Sequence, residues 1–192
     1  MALTDHCDDQ ALRQQLVNVA RRMNSTGLNQ GTSGNLSARI KGGILVTPSS
    51  LPYEQMEADD LVALDLSGHP LREQQRRPSS EWRLHADVLN GRSEAMAVVH
   101  CHPIHATALA CHDRGIPAFH YMVAVAGGDE IRCAPYATFG TKELSENVVE
   151  ALGPRNACLL ARHGMVTLGK DLESALRVAV EVETLARMYL QA

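Results

Sequence analysis

Apolar positions recur along the chain with a period that switches between helix-like and strand-like, and the switches mark the elements. Leu12, Leu16, Val19 and Met23 stand at helical spacing behind aspartates suited to a helix start, and Gly27 closes the run. "NLSARI-KGG-ILVTP" predicts two short strands joined by a Gly-containing turn, an antiparallel hairpin. "MEADDLVALDLSGHP" predicts a helical turn, a strand over 61–66 and a second turn, and "REQQRRP" a solvated charged loop. Ser79 and Ser80 precede "EWRLHADVLNGR", which reads as a helix with a hydroxyl cap. A strand over 96–101 and a helix over 103–114 follow, then "AVAGGDEIRCAPYATFG", a loop with a short strand near 131–134. A helix over 142–151, strands over 157–161 and 165–168 and a long helix over 171–190 complete the pattern. Hairpins mixed with strand–helix alternation argue for one mixed sheet covered by helices on both faces. Neither an interdomain linker nor an internal repeat interrupts it, so residues 1–192 read as a single domain.

Composition narrows the class. The 192 residues suffice for one substantial core, and 45% hydrophobic with 21% charged residues is a globular balance rather than a disordered one. A net charge of −4 with no polybasic stripe argues against a nucleic-acid partner. No stretch approaches the length of a membrane span, and "MALTDHCDDQ" lacks the basic-then-apolar order of a secretory leader. Cys7, Cys101, Cys111, Cys133 and Cys158 are odd in number and form no Cys-x-x-Cys pair. They read as small, mostly buried residues in a reducing cytoplasm.

The candidate chemistry begins at "AVVHCHPIHA". Residues i and i+2 of a strand share a face, so His100 and His102 project together while Cys101 points away. Pro103 suits the first turn of a helix, which places the pair at the carboxyl end of a strand. Two imidazoles there fit a shared metal, and equally fit two histidines at a sheet end. His163, after the apolar run "LLAR" and before Gly164, sits exposed at a turn; alone it fits a histidine serving that turn, and beside His100 and His102 it is the third candidate for the ligand set a catalytic zinc takes. Glu81 stands in the first turn of its helix, where a carboxylate is stabilised whether or not it does chemistry. The loops "NQGTSGNLS", "TPSS" and "PSSEW" each read as a turn; together they suggest a phosphate pocket of converging amides and hydroxyls.

The ordered set "GLNQGTSGNLSAR", "LVTPSSLPYE", "PSSEWRLH", "AVVHCHPIHATAL", "HYMVAVAGGDEIRCAPYATFGTKELSENV" and "RHGMV" resembles the zinc-dependent class II aldolase family, of the L-fuculose-1-phosphate aldolase type. The resemblance implies a three-layer α/β/α fold with a mixed, largely antiparallel central sheet, and a homotetramer with active sites at subunit interfaces. It implies Zn2+, or another divalent metal, on His100, His102 and His163. Glu81 then binds the metal in the empty enzyme and acts as acid/base with substrate. Phosphate sits near Gly34, Asn35, Ser49, Ser50, Ser79 and Ser80. Tyr121, from a neighbouring subunit, resembles the proton donor to the aldehyde oxygen, and Phe139 a residue lining that region; on their own both read as aromatic packing. The implied reaction is reversible cleavage of a ketose 1-phosphate, such as L-fuculose 1-phosphate, to dihydroxyacetone phosphate and a short aldehyde through a zinc-stabilised enediolate. Aldolases for 5-deoxyribulose or methylthioribulose 1-phosphate, and epimerases or dehydratases of the same family, are the alternatives. Two departures bear on the sugar: Ser50 stands where the fuculose enzyme has glycine, and the sequence ends at Ala192, short of a tail tyrosine.

Rival chemistries fit less well. A Schiff-base aldolase needs a desolvated lysine, whereas Lys41, Lys142 and Lys170 fall in turns or at helix ends. A metal-dependent isopeptidase of the His-x-His-x7-Ser-x2-Asp type would use Asp113, but Ala110 occupies its serine position and His163 is left unexplained. A cupin needs a glutamate soon after His-x-His, and Ile104 to Thr107 offer none. A non-catalytic binding domain has no need of three histidines and a glutamate.

Overall fold

The computed structural model describes residues 5–192, with side chains from Gln10 onward; the Cys7 side chain and the first four residues of the chain lie outside the described part. The helices are α1 (Asp5–Ser25), α2 (Trp82–Gly91), α3 (Ile104–Ala110), α4 (Lys142–Leu152) and α5 (Leu172–Gln191). The strands are β1 (Asn35–Ile40), β2 (Gly43–Val46), β3 (Val62–Leu64), β4 (Ala97–Cys101), β5 (Cys133–Ala134), β6 (Ala157–Leu160) and β7 (Gly164–Gly169). They form one sheet in the order β3-β2-β1-β4-β7-β6-β5, antiparallel throughout except for the β5–β6 pair. The expected mixed, largely antiparallel sheet is therefore present.

Strand alternation assigns each residue to one of two cores. Leu36, Ala38, Ala97, Val99 and Cys101 join Leu16, Val19, Met23, Ala179 and Val182 of α1 and α5 in one. Val98, Val166, Leu160 and Cys158 join Leu84, Val88, Leu144 and Val148 of α2 and α4 in the other. The sheet lies between two helical layers, the three-layer arrangement the resemblance implied.

This alternation also positions the site. Asn35, Ser37 and His100 occupy strand positions out of phase with Leu36, Ala38 and Val99, so they lie on the face covered by α2. Asn35 and His100 are direct partners across β1 and β4.

Three local expectations are corrected. The helix after Pro103 ends at Ala110, not near 114, because the chain reverses through Cys111–Asp113, with Asp113 at φ 54°. No hydroxyl caps α2: its N-cap residue is Glu81, without a side-chain capping bond, and Ser79 Oγ instead accepts from the Glu81 N–H at 3.3 Å. Residues 124–126, expected as the start of a loop, belong to a 3-10 helix over Tyr121–Ala126, whose first free N–H, that of Met122, is taken by His120 Nδ1 at 3.3 Å. Val123 and Ala126, three residues apart, bury its inner face.

Candidate metal centre and anion pocket

The strand end of β4 and the turn from β6 to β7 deliver three imidazoles to one point. The ring centroids of His100, His102 and His163 lie 4.8–4.9 Å apart, and one nitrogen from each falls within 4.8 Å of the others. His100 and His102 bring their Nε2 atoms to 3.0 Å. The expected exposure of His163 is corrected: the turn is present, but its side chain retains only 14% of its exposure and His100 none. Gly164 makes the approach possible, because a Cβ there would stand 2.5 Å from the Cys101 carbonyl oxygen and 2.6 Å from the His102 ring. A second clamp fixes His102, whose backbone N–H donates to Asn29 Oδ1 at 3.3 Å.

Glu81 completes the cluster. Its Oε2 lies 3.2 Å from His100 Nε2 and its Oε1 3.4 Å from His163 Nε2, and Oε1 is buried with no hydrogen-bond partner. Burial alone would raise the Glu81 carboxyl, but the charge of and hydrogen bond from His100, with His163 and Asn35, hold it well below the usual carboxylate range. Burial opposes a charged His100; the Glu81 carboxylate outweighs that and raises its pKa. Burial and then the charge of His100 push His102 down to about 3 and His163 to about 4. These two remain neutral at physiological pH, the form that ligates metal.

The donor set fits a divalent cation. His100 Nδ1 is 2.9 Å from the Met165 carbonyl, which can only accept, so Nδ1 keeps a proton and Nε2 is the ring atom that faces the cluster and is free to ligate once deprotonated. Three imidazoles and an unpartnered carboxylate oxygen converging within a few ångströms match the three-histidine set of a catalytic zinc, His100 giving up its Nε2 proton as it ligates. Asp113, required by the isopeptidase reading, is an exposed turn residue bonded to Arg162 at 2.8 Å and is absent from the cluster.

A pocket of about 400 Å³ opens beside the imidazoles. Gly34, Asn35, Ser49, Ser50, Ser79 and Ser80 all line it, as do Glu81, His102, His163 and Phe139. The three loops are knitted by backbone bonds: Ser49 N to Arg77 O and Ser79 N to Thr47 O, each 3.0 Å, with a bridge between Pro48 and Pro78. Thr47 in turn donates its N–H to Leu36 O, beside Asn35. Ser50 adopts φ 59°, the left-handed conformation that favours glycine, so the backbone path keeps a glycine-like course with serine in place. Gly34 allows its loop to touch β4, since a Cβ would lie 2.7 Å from the His100 carbonyl oxygen.

Two site residues fall elsewhere. His100 lies behind the pocket wall, fully buried. Tyr121 is 80% exposed and borders a separate depression with Phe119 and His120. The sequence reading missed Tyr136 and Arg162, which also line the pocket; the Arg162 guanidinium lies 5.9 Å from the Tyr136 ring. It also missed His85, whose signal was its place four residues after Glu81, on the same face of one helix.

Residues 14–190 match the family of the class II aldolase and adducin N-terminal domain. The chain is 51% identical over 179 residues to 5-methylthioribulose-1-phosphate/5-deoxyribulose-1-phosphate aldolase of Rhodospirillum rubrum, covering 93% of this chain and 80% of that one. It is 49% identical over 179 residues to L-fuculose phosphate aldolase of Escherichia coli strain K12, covering 93% and 82%. A solved structure of an L-fuculose 1-phosphate aldolase superposes with a TM-score of 0.91 at 38% identity, covering 94% of this chain and 85% of that one. A match over nearly the whole chain, joined to the three-histidine centre, makes this protein a member of the class II aldolase family.

Proposed function

We propose that this class II aldolase cleaves a ketose 1-phosphate to dihydroxyacetone phosphate and a short aldehyde, and that its metal is zinc. The observation that carries the reading is the unpartnered, buried Glu81 carboxylate oxygen set against three imidazoles at the wall of a hydroxyl-lined pocket. Relatives named for fuculose phosphate on one side and for methylthioribulose and deoxyribulose phosphates on the other support the substrate class.

His100, His102 and His163 would hold the cation, with Glu81 as a further ligand before substrate arrives. When bound, the cation supplies Lewis-acid stabilisation for the negative charge left on the ketose oxygens. Glu81 moves the proton at the carbon beside the carbonyl: it delivers that proton after the carbon–carbon bond breaks and removes it in the reverse direction. Gly34, Asn35, Ser49, Ser50, Ser79 and Ser80 bind the phosphate through amides and hydroxyls. Tyr121 serves the aldehyde oxygen from a neighbouring subunit of a homotetramer; its 80% exposure and its absence from the lining of its own pocket support that placement. Phe139, 63% exposed at the rim, lines the aldehyde side. The chain acts as one catalytic domain in the cytoplasm, a reading supported by the free Cys101, Cys111, Cys133 and Cys158. Among the described residues no helix is long and apolar enough to cross a membrane.

The test is a panel of L-fuculose 1-phosphate, 5-deoxyribulose 1-phosphate, methylthioribulose 1-phosphate and ribulose 5-phosphate, compared by kcat/KM for dihydroxyacetone phosphate release. Release from the 1-phosphates is expected. Epimerisation of ribulose 5-phosphate, or water loss from methylthioribulose 1-phosphate without cleavage, would overturn the substrate and reaction while leaving the metal centre standing.

A further inference from the structure

Beneath the anion pocket runs a buried chain of three hydrogen bonds that the catalytic reading does not use. Ser37 Oγ lies 2.8 Å from His85 Nδ1, His85 Nε2 2.5 Å from Asn35 Oδ1, and Asn35 Nδ2 2.9 Å from Glu81 Oε2. Ser37 and His85 are fully inaccessible, and Asn35 and Glu81 are 4% exposed. The directions follow from what each atom can do. An ionised carboxylate only accepts, so Asn35 turns its NH2 to Glu81 and its oxygen to His85. An amide oxygen only accepts, so His85 carries its proton on Nε2, and its bare Nδ1 takes the Ser37 hydroxyl proton. Every donor points toward Glu81.

Glu81 cannot by itself keep the Asn35 amide in this orientation. A group that takes up and releases a proton during turnover switches between acceptor and donor toward its neighbour. His85 does not switch, since burial, reinforced by the charge of His100, lowers it to about 3 and keeps it neutral. Asn35 lines the pocket, and an amide nitrogen with one hydrogen on Glu81 has a second to offer. We propose that His85, oriented by Ser37, is a positioning residue that locks the Asn35 amide with its NH2 toward the phosphate pocket and Glu81 throughout turnover. This rests on the reading that Asn35 binds phosphate.

The experiment measures inorganic phosphate binding by calorimetry to the metal-free protein, for wild type, Asn35→Ala, His85→Leu, His85→Gln and the Asn35→Ala/His85→Leu pair. Circular dichroism and thermal melts check the fold of each. Loss of a hydrogen bond to a charged group corresponds to about tenfold in affinity. Asn35→Ala and His85→Leu should each show about that loss, and the double variant no more than Asn35→Ala alone. His85→Gln, whose amide can donate to Asn35 and accept from Ser37, should restore most of the affinity. Spectra of 15N-histidine-labelled wild type, which need no variant to fold, should place the His85 proton on Nε2. If His85→Leu binds phosphate as wild type does while Asn35→Ala does not, the positioning role is overturned and the phosphate site stands. Losses that multiply in the double variant, or a proton on His85 Nδ1, overturn it as well. Unchanged binding in Asn35→Ala removes the phosphate reading and this inference together.

Discussion

The two ends of the pocket are built by opposite means. At the metal end, His100 and Glu81 are buried, His100 is bonded to the Met165 carbonyl, His102 is held at the strand end by Asn29, and His163 is presented by a tight turn. At the anion end, Ser49, Ser50 and Ser80 are exposed turn residues, and what holds the loops together is backbone: Thr47, Ser49 and Ser79 bonded to each other's strands and turns. Side-chain identity makes the first end, and chain path makes the second. In the proposed reading, losing one imidazole would therefore empty a site, whereas losing one hydroxyl would remove one of several donors. Replacing the two ends side chain by side chain should give sharply unequal effects.

The largest effect is expected at the imidazoles. His100→Ala, His102→Ala and His163→Ala should each lower zinc affinity by more than about 100-fold, beyond the range of ligand-orienting neighbours, with circular dichroism unchanged. Asp113→Ala should keep full zinc. Full zinc in any histidine variant would take that residue out of the ligand set. Glu81→Gln should keep most of the metal, while exchange of the dihydroxyacetone phosphate C3 proton with deuterated water falls about 10²–10⁴-fold. Wild-type exchange there would exclude Glu81 as the base. At the anion end, Ser49→Ala or Ser80→Ala should raise KM by roughly tenfold at most with little change in kcat. A loss as large as that of a histidine variant would erase the contrast.

Acid should reach the metal end first. His85, His102 and His163 have pKa values of about 3, 3 and 4 in the folded chain, against about 6.5 unfolded. The unfolded chain thus binds more protons between those limits, so these three contribute stability that is present above pH 6.5 and lost as pH falls toward 4. His100, raised by Glu81, contributes in the opposite sense, its share being lost as pH rises through its folded value. Three against one, the Tm of the metal-free protein should decline from about pH 6.5 downward. A flat melting profile between pH 7 and 5 would contradict the buried, neutral imidazoles. The smallest effect belongs to Ser50: Ser50→Gly relieves the left-handed serine but loosens the unfolded chain, for a net gain under about 1 kcal/mol, or roughly 2–4 °C in Tm.

What could be read from the sequence divides along the same line. His100 and His102 announce themselves because strand periodicity alone puts i and i+2 on one side, and Gly164 marks the turn that presents His163. The sheet, its helical layers and most element positions follow from apolar periodicity. The Ser37–His85–Asn35–Glu81 chain does not, because it exists only once β1 pairs with β4 in one register and α2 lies across that face. Arg162 and Tyr136 were hidden for another reason: exposed residues beside a turn carry no periodic signal. The cap of α2 was misplaced by a single residue, since Ser79 spends its hydroxyl on the Glu81 N–H and leaves the carboxylate free to face the imidazoles.

The direct pairing of Asn35 with His100 gives the protein a molecular gauge. Opposed residues on antiparallel strands stand about 4.5–5.5 Å apart at their Cα atoms, a spacing set by backbone hydrogen bonds that no side-chain change on the surface can stretch. In the proposed reading, which puts phosphate on the β1 side and the cation on the β4 side, the ladder would measure the stretch of substrate between phosphate and carbonyl. Within one subunit, the aldehyde portion of a substrate so held would meet the open rim at Phe139 and Tyr136. Selectivity should accordingly be strict for where the phosphate is attached and lenient for what the sugar carries at its other end, so that one scaffold serves several 1-phosphates while rejecting sugars phosphorylated at the far carbon.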